Sequence, residues 1–101
     1  MILDLVDLNI LKLFCKLKDN EYTTTWEIMK KIYPRGGDSL HMGIKRKIAR
    51  MSDYCLFNIE GKPKTYTLNS DKVFLRKFSF PDRRCLAISI LIDDRWIIFE
   101  L

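Results

Sequence analysis

Residues 38–57, DSLHMGIKRKIARMSDYCLF, decide how the rest of the chain is read. Taken as a helix, Leu40, Ile44, Ile48 and Met51 recur at spacings of four, four and three. They line one side as a stripe that should pack on a core. At about 100° per residue, the opposite side presents Met42, Lys45, Arg46, Ala49 and Arg50. Cations and small side chains there, with no carboxylate before Asp53, suit a surface laid against phosphates and base edges. Gly43 inside this helix costs about 1 kcal/mol relative to alanine. Two explanations stand: a helix that starts after Asp38, or a bare backbone that lets a partner come close. His41 flanks the apolar stripe with no second ligand nearby, so it reads as a surface or capping residue.

Charge is unevenly spread along the 101 residues. Residues 1–29 hold three Lys or Arg against five acids, residues 30–50 seven against one, and residues 51–101 eight against seven. The middle fifth thus carries the whole positive excess of +5. A localised basic patch is the electrostatic footprint of a nucleic-acid binder, although a solvated lysine-rich surface gives the same count.

Nearly half of the chain is apolar, enough for one compact domain with its own core. Cys15, Cys55 and Cys85 are odd in number and far apart, without a CxxC pair, and His41 is the one histidine. This argues against a disulfide framework and against zinc, and for a reducing, cytoplasmic setting. The opening MILDLVDLNILKLF is broken by Asp4 and Asp7 and has no basic leader, so it does not read as a signal peptide. No run approaches the roughly 18 apolar residues of a membrane span.

Upstream of the organising stretch, Leu3, Val6, Ile10, Leu13, Phe14 and Leu17 keep helical spacing. Asp4 or Asp7 caps that helix, Lys16 and Lys18 sit near its end, and Asp19-Asn20 breaks it. Its acidic front makes it scaffold. A second helix follows in EYTTTWEIMKKIYP, about ten residues long. Thr24 and Glu27 fit a capping box, and Pro34 ends it. Trp26, spaced from Met29, reads as core more readily than as a stacking platform. The link RGGD carries two glycines and a helix-start signal in Asp38 or Ser39. Downstream of Tyr54 the period falls to two. CLFNIEG and KTYTLN bracket a hairpin turn at Gly61-Lys62-Pro63-Lys64, whose lysines are placed to touch phosphate or enter a minor groove.

The run IKRKIARMSDYCLFNIEGKPKTYTLN resembles the recognition helix and wing of archaeal and bacterial winged helix-turn-helix regulators. Tyr54, Leu56, Phe57, Gly61, Lys62, Lys64, Tyr66 and Leu68 match that pattern. Cys55 departs from it, standing where the family usually has the helix-ending glycine, and a left-handed residue there is costly without glycine. With TTTWEIMKKIYP, the resemblance covers residues 8–69. It implies DNA binding, usually by a homodimer and for transcriptional control, without naming a target.

Residues 70–101 form a β extension to that unit. Val73 to Phe80 suits a short helix capped by Ser70 or a strand, and Pro81 to Arg84 a turn. CLAISILI, Asp93-Asp94 and RWIIFEL read as a β-hairpin, although Asp-Asp is a poorer two-residue turn than Asp-Gly and a longer loop is open. The apolar last strand has a free edge that tends to pair or be covered. Extending the sheet into a homodimer contact, or closing the core against the first helix, both explain it.

The expected architecture is therefore α+β: a single winged helix-turn-helix domain over 1–101, with three helices, a β-wing and a C-terminal β-hairpin. The expected partner is duplex DNA. Met42, Lys45, Arg46, Ala49 and Arg50 form the groove-facing surface, with Arg46 reading guanine. Lys30, Lys31, Arg35, Lys47, Lys62 and Lys64 touch backbone phosphate, although Lys47, nearer the apolar side, could only snorkel out. No cofactor, metal or catalysis is expected. Glu60-Gly61-Lys62 resembles the end of a metal-dependent nuclease motif but needs a further acid on a neighbouring strand, and the turn explains the same residues. No base beyond His41 supports a Ser or Cys nucleophile. The competing expectation is a winged helix that binds protein within a larger complex.

Overall fold

The computed structural model describes residues 2–14, 17, 23–77 and 85–100. Among these are three helices, α1 (Leu5–Leu13), α2 (Thr25–Ile32) and α3 (Asp38–Asp53), and five strands. The strands are β1 (Phe57–Glu60), β2 (Thr65–Leu68), β3 (Val73–Lys77), β4 (Cys85–Ile92) and β5 (Arg95–Glu100). They form two antiparallel sheets, β1-β2 and β3-β4-β5. The α+β class and the three helices agree with the sequence reading. The ends assigned to Lys16, Lys18 and Asp19-Asn20, and the turn at Pro81 to Arg84, lie outside the described residues.

One core joins all three helices to both sheets. Ile10, Leu11 and Phe14 meet Ile28 and Met29 of α2, Ile44, Ile48 and Met51 of α3, and Leu56, Phe57 and Tyr66 around β1 and β2. Val73, Ile88, Ile90 and Ile92 of the second sheet close the same cluster. Leu40 departs from the expected stripe. It sits in the first turn of α3 and stays 41% exposed. Phe57 lies between Phe14 and Tyr66, with ring centroids 5.3 and 6.0 Å away, and carries aromatic packing from α1 into the first sheet.

The helix ends follow local chemistry. Asp4 and Asp7 form a reciprocal capping box at the start of α1, each carboxylate accepting from the other's backbone N–H. Thr24 accepts from Glu27 N at 3.2 Å, while the Glu27 carboxylate accepts from the Thr24 hydroxyl at 3.0 Å, so half of the expected box forms. Pro34 stops α2 after eight residues. The N-cap of α3 is Gly37, not Asp38 or Ser39, and Asp38 enters the first turn, where its charge suits the helix dipole. A methyl group at Gly36 would stand 2.7 Å from Met29 Sδ and 3.0 Å from Tyr33, so a larger residue there would push the Met29 side chain or the turn aside.

At the far end of α3, Cys55 takes the left-handed conformation itself, with φ +60°. Cys55 N donates to Ser52 O and Leu56 N to Met51 O, the paired bonds of a Schellman cap. The Asn69 amide holds this corner by donating to Cys55 O at 2.8 Å. Leu56 then enters the core, and β1 and β2 pair from Phe57↔Leu68 to Glu60↔Thr65. Thr23, ahead of α2, adds a third backbone partner to this sheet through reciprocal bonds with Tyr66 of 3.0 and 2.7 Å.

The expected C-terminal hairpin forms as β4-β5, and β3 pairs with β4 to make a three-stranded meander. It forms its own sheet and does not extend β1-β2. Residues 73–77 settle as strand because Val73 and Leu75 pair in register with Ile90 and Ile88, which buries one alternate set of side chains. The loop between β4 and β5 is Asp93-Asp94 alone, since Ile92 pairs with Arg95. Both aspartates have positive φ, 50° and 62°, as a type I′ turn requires, and aspartate tolerates this region better than most residues. The longer loop is therefore not needed.

A left-handed non-glycine residue costs about 1–2 kcal/mol, of which about 0.4–1 is returned by the stiffer unfolded chain. Cys55→Gly is expected to stabilise the fold by about 0.5–1 kcal/mol, read as a raised urea midpoint at unchanged m-value.

Candidate nucleic-acid interface

The outward side of α3 is divided by what its cations touch. Met42, Lys45, Arg46 and Ala49 are exposed, and among the described residues neither Lys45 nor Arg46 has an ion-pair partner. Lys47 and Arg50 behave differently. Lys47 Nζ sits 2.5 Å from Asp4 Oδ2, and the Arg50 guanidinium is bonded to Asp7 Oδ2. Asp7 is completely buried. Both cations were expected on the DNA face; both pair with the acidic front of α1, with the Arg50 side chain still 45% exposed. Along the helix the outward side meets no carboxylate before Asp53, and nothing local announces two arriving from 43 residues away.

Asp4 is shifted furthest by this arrangement. The hydrogen bond from Lys47, followed by that from the Asp7 backbone N–H, lowers its pKa from 3.8 to about 2. A carboxylate with a depressed folded-state pKa stabilises the fold fully above its unfolded value and loses that contribution as pH falls towards the folded value. Asp4 is half exposed, so water and salt weaken the pair.

Lys45 belongs to a cleft of about 590 Å³. The start of α2 gives it Thr24, Thr25 and Trp26; α3 gives His41, Lys45 and Ala49; the β1-β2 hairpin gives Pro63, Lys64 and Tyr66. Cations from a helix and from a hairpin tip thus converge beside the N-terminal end of α2, whose amides favour anions. His41, Lys45 and Ala49 are four residues apart, which places them in one row along α3. His41 Nε2 is 2.8 Å from Thr25 Oγ1 and ties α3 to α2 at the mouth of the cleft.

Trp26 is 42% exposed and not core as expected. Its ring meets His41 edge-on at 5.1 Å, and Lys30 Nζ lies 5.8 Å from its centroid. With Ile28 and Met29 in the core, Trp26 lies about 110° round the helix from their midpoint, on the flank of the buried face. The Trp26–His41 contact depends on how two helices cross, so the one local clue was the four-residue spacing of His41 from Lys45.

The other expected contacts scatter. Lys30 donates to Pro34 O at 2.9 Å and reaches Gly36 O at 3.5 Å, so it braces the turn. Lys31 lines a separate hollow of about 250 Å³ with Asn9, Lys12, Leu13 and Ile32, away from the cleft. Arg35 on the turn and Lys62 beside Lys64 are exposed. Gly43 has open space where a Cβ would stand, and α3 does begin at Asp38. The late-start explanation is thereby removed, which leaves a bare patch of backbone beside Met42.

Among the described residues, no group of three His, Cys, Asp or Glu could hold a metal ion, and no helix is long and apolar enough to cross a membrane. Compared with protein-family models, curated proteins and solved structures, the chain matches none.

Removing one partner of a buried ion pair strands the other, at a cost of about 3 kcal/mol. Arg50→Ala is expected to destabilise by about that much in urea denaturation, whereas exposed Arg46→Ala changes stability by less than about 0.5 kcal/mol. Between about pH 4 and pH 2, wild-type stability falls more steeply than that of Lys47→Ala, because only the wild type loses the Asp4 pair there. Parallel acid-denaturation profiles would contradict the pairing.

Proposed function

We propose that this chain is a winged helix-turn-helix protein that binds duplex DNA, with α3 in the major groove and the β1-β2 hairpin as the wing. The observation that carries this reading is the cleft where Lys45 of α3 and Lys64 of the hairpin converge, flanked by exposed Arg46. These charges have no carboxylate partner among the described residues, so they are available to phosphate. The supporting order is α1, α2, a glycine turn, α3 and then an antiparallel hairpin, as in the family whose wing the sequence resembles.

The roles are narrower than charge alone suggested. Arg46 reads guanine through its two-pronged guanidinium, with Met42, Ala49 and the bare backbone at Gly43 allowing close approach to base edges. Lys45, Arg35, Lys62 and Lys64 neutralise phosphates. Thr25 and Trp26 border the strand that enters the cleft. Lys47, Arg50 and Lys30 hold the helices and turn in place. Control of transcription in the cytoplasm is the use this chemistry fits best. A protein-binding winged helix is the second reading, favoured by the apolar outer face of the β3-β4-β5 sheet.

Fluorescence anisotropy with a random duplex at several salt concentrations tests the reading. About four or five phosphate contacts imply a log–log salt slope of roughly −4, with Kd in the micromolar range or better at low salt. Lys64→Ala should lower the slope by about one on every sequence, and Arg46→Ala should cost about 1–3 kcal/mol and relax preference at one base pair. Affinity that is absent, or insensitive to salt, would sink the proposal.

A further inference from the structure

The β3-β4-β5 sheet has one face in the core and one in the open. Val73, Ile88, Ile90 and Ile92 are buried on the inner face, while Phe74, Trp96 and Ile98 on the outer face are 61, 55 and 68% exposed. Strand pairing arranges the outer residues in rows. One row runs Phe74–Ser89–Ile98; the next, towards the other end, runs Arg76–Ala87–Glu100; a third joins Leu91 to Trp96. Large apolar groups therefore sit on both outer strands and, at Leu91, on β4, while small Ser89 and Ala87 leave a shallow dip in the rest of β4. Arg76 and Glu100 stand at the same height on opposite edges, both exposed and without an ion-pair partner among the described residues.

We propose that a second copy of this chain packs on this outer face, sheet against sheet, about a two-fold axis parallel to β4. Such an axis keeps each row at its own height and exchanges β3 with β5. Phe74 of one copy then lies over Ile98 of the other. Leu91 of one copy meets Leu91 of the other across the two β4 strands, and Arg76 of each copy meets Glu100 of its mate. The face is self-complementary in charge, which is what a symmetric interface requires of a single surface and what an unrelated partner does not. A two-fold axis across the strands would instead set β3 over β3 and leave both charges unmatched. Packed sheets normally lie about 10 Å apart, so the small Ala87 and Ser89 leave room for the flanking Phe74 and Ile98 to lean inward.

The sequence expectation of a dimer through an open edge is thus redirected from the edge of β5 to the face of the whole sheet. Three strands about 4.8 Å apart and about six residues long give a patch of roughly 300 Å² per copy, smaller than a stable interface needs. The dimer is accordingly weak, with a constant in the high-micromolar range. This inference holds whether or not the chain binds DNA, and its test needs no DNA.

Sedimentation velocity on the full chain from roughly 1 to 500 µM should show a monomer–dimer equilibrium with a high-micromolar constant. Ile98→Lys should weaken it at least tenfold. Arg76→Glu, which sets two carboxylates together at each edge, should weaken it about tenfold, and adding Glu100→Arg should restore it to within about threefold. Arg76 and Glu100 are surface positions, so the charge exchange reports on the interface even if Ile98→Lys perturbs folding, which circular dichroism would reveal. A wild type that stays monomeric at 500 µM overturns the proposal. So does a dimer indifferent to Arg76→Glu, or a double variant as weak as the single one.

Discussion

A carboxylate with no access to water governs this structure. Asp7 lies fully buried between α1 and α3, where its Oδ2 accepts from the Asp4 N–H and from the Arg50 guanidinium. Such a group is costly unless its charge is matched. Arg50 cannot rotate away without stranding Asp7, so the pair fixes how α3 is turned about its own axis. Lys47 and Asp4 repeat the contact one turn earlier, in a wetter place. Pairs of this kind serve geometry more than net stability, since desolvation offsets much of the attraction.

That fixed rotation explains why the remaining cations face outward. With Ile44, Ile48 and Met51 in the core and Lys47 and Arg50 held by α1, the residues left on the open side are Met42, Lys45, Arg46 and Ala49. The cap at Cys55 then turns the chain directly into the hairpin, and Asn69 fastens the corner. Asn69 also starts the second sheet: its carbonyl accepts from Lys72 and Val73 and its side chain from Asp71. One asparagine thus couples the helix end, the hairpin and the β3-β4-β5 sheet. The placement of Lys64 relative to Lys45 depends on that coupling.

Two surfaces of the molecule carry different chemistry. The cleft is cationic and bordered by a half-exposed indole, which suits the proposed nucleic-acid partner. The β3-β4-β5 sheet is apolar on its open face, with Arg76 and Glu100 at its edges.

Local chemistry made much of this legible in the sequence. The stripe Ile44, Ile48, Met51, the caps at Asp4 and Thr24, the stop at Pro34 and the hairpin around Gly61 all depend on neighbours within a few residues, and such neighbours can be read in order. The cost of a missing glycine at Cys55 was visible for the same reason. Three matters were decided only by tertiary structure. Lys47 and Arg50 became struts because carboxylates far away in the chain reached them. Trp26 emerged at the surface because Ile28 and Met29 took the core. Residues 73–77 became a strand of a separate sheet because β4 offered a matching register. Spacing fixes which side of an element is apolar; it is the meeting of distant elements that determines which charges remain free to act.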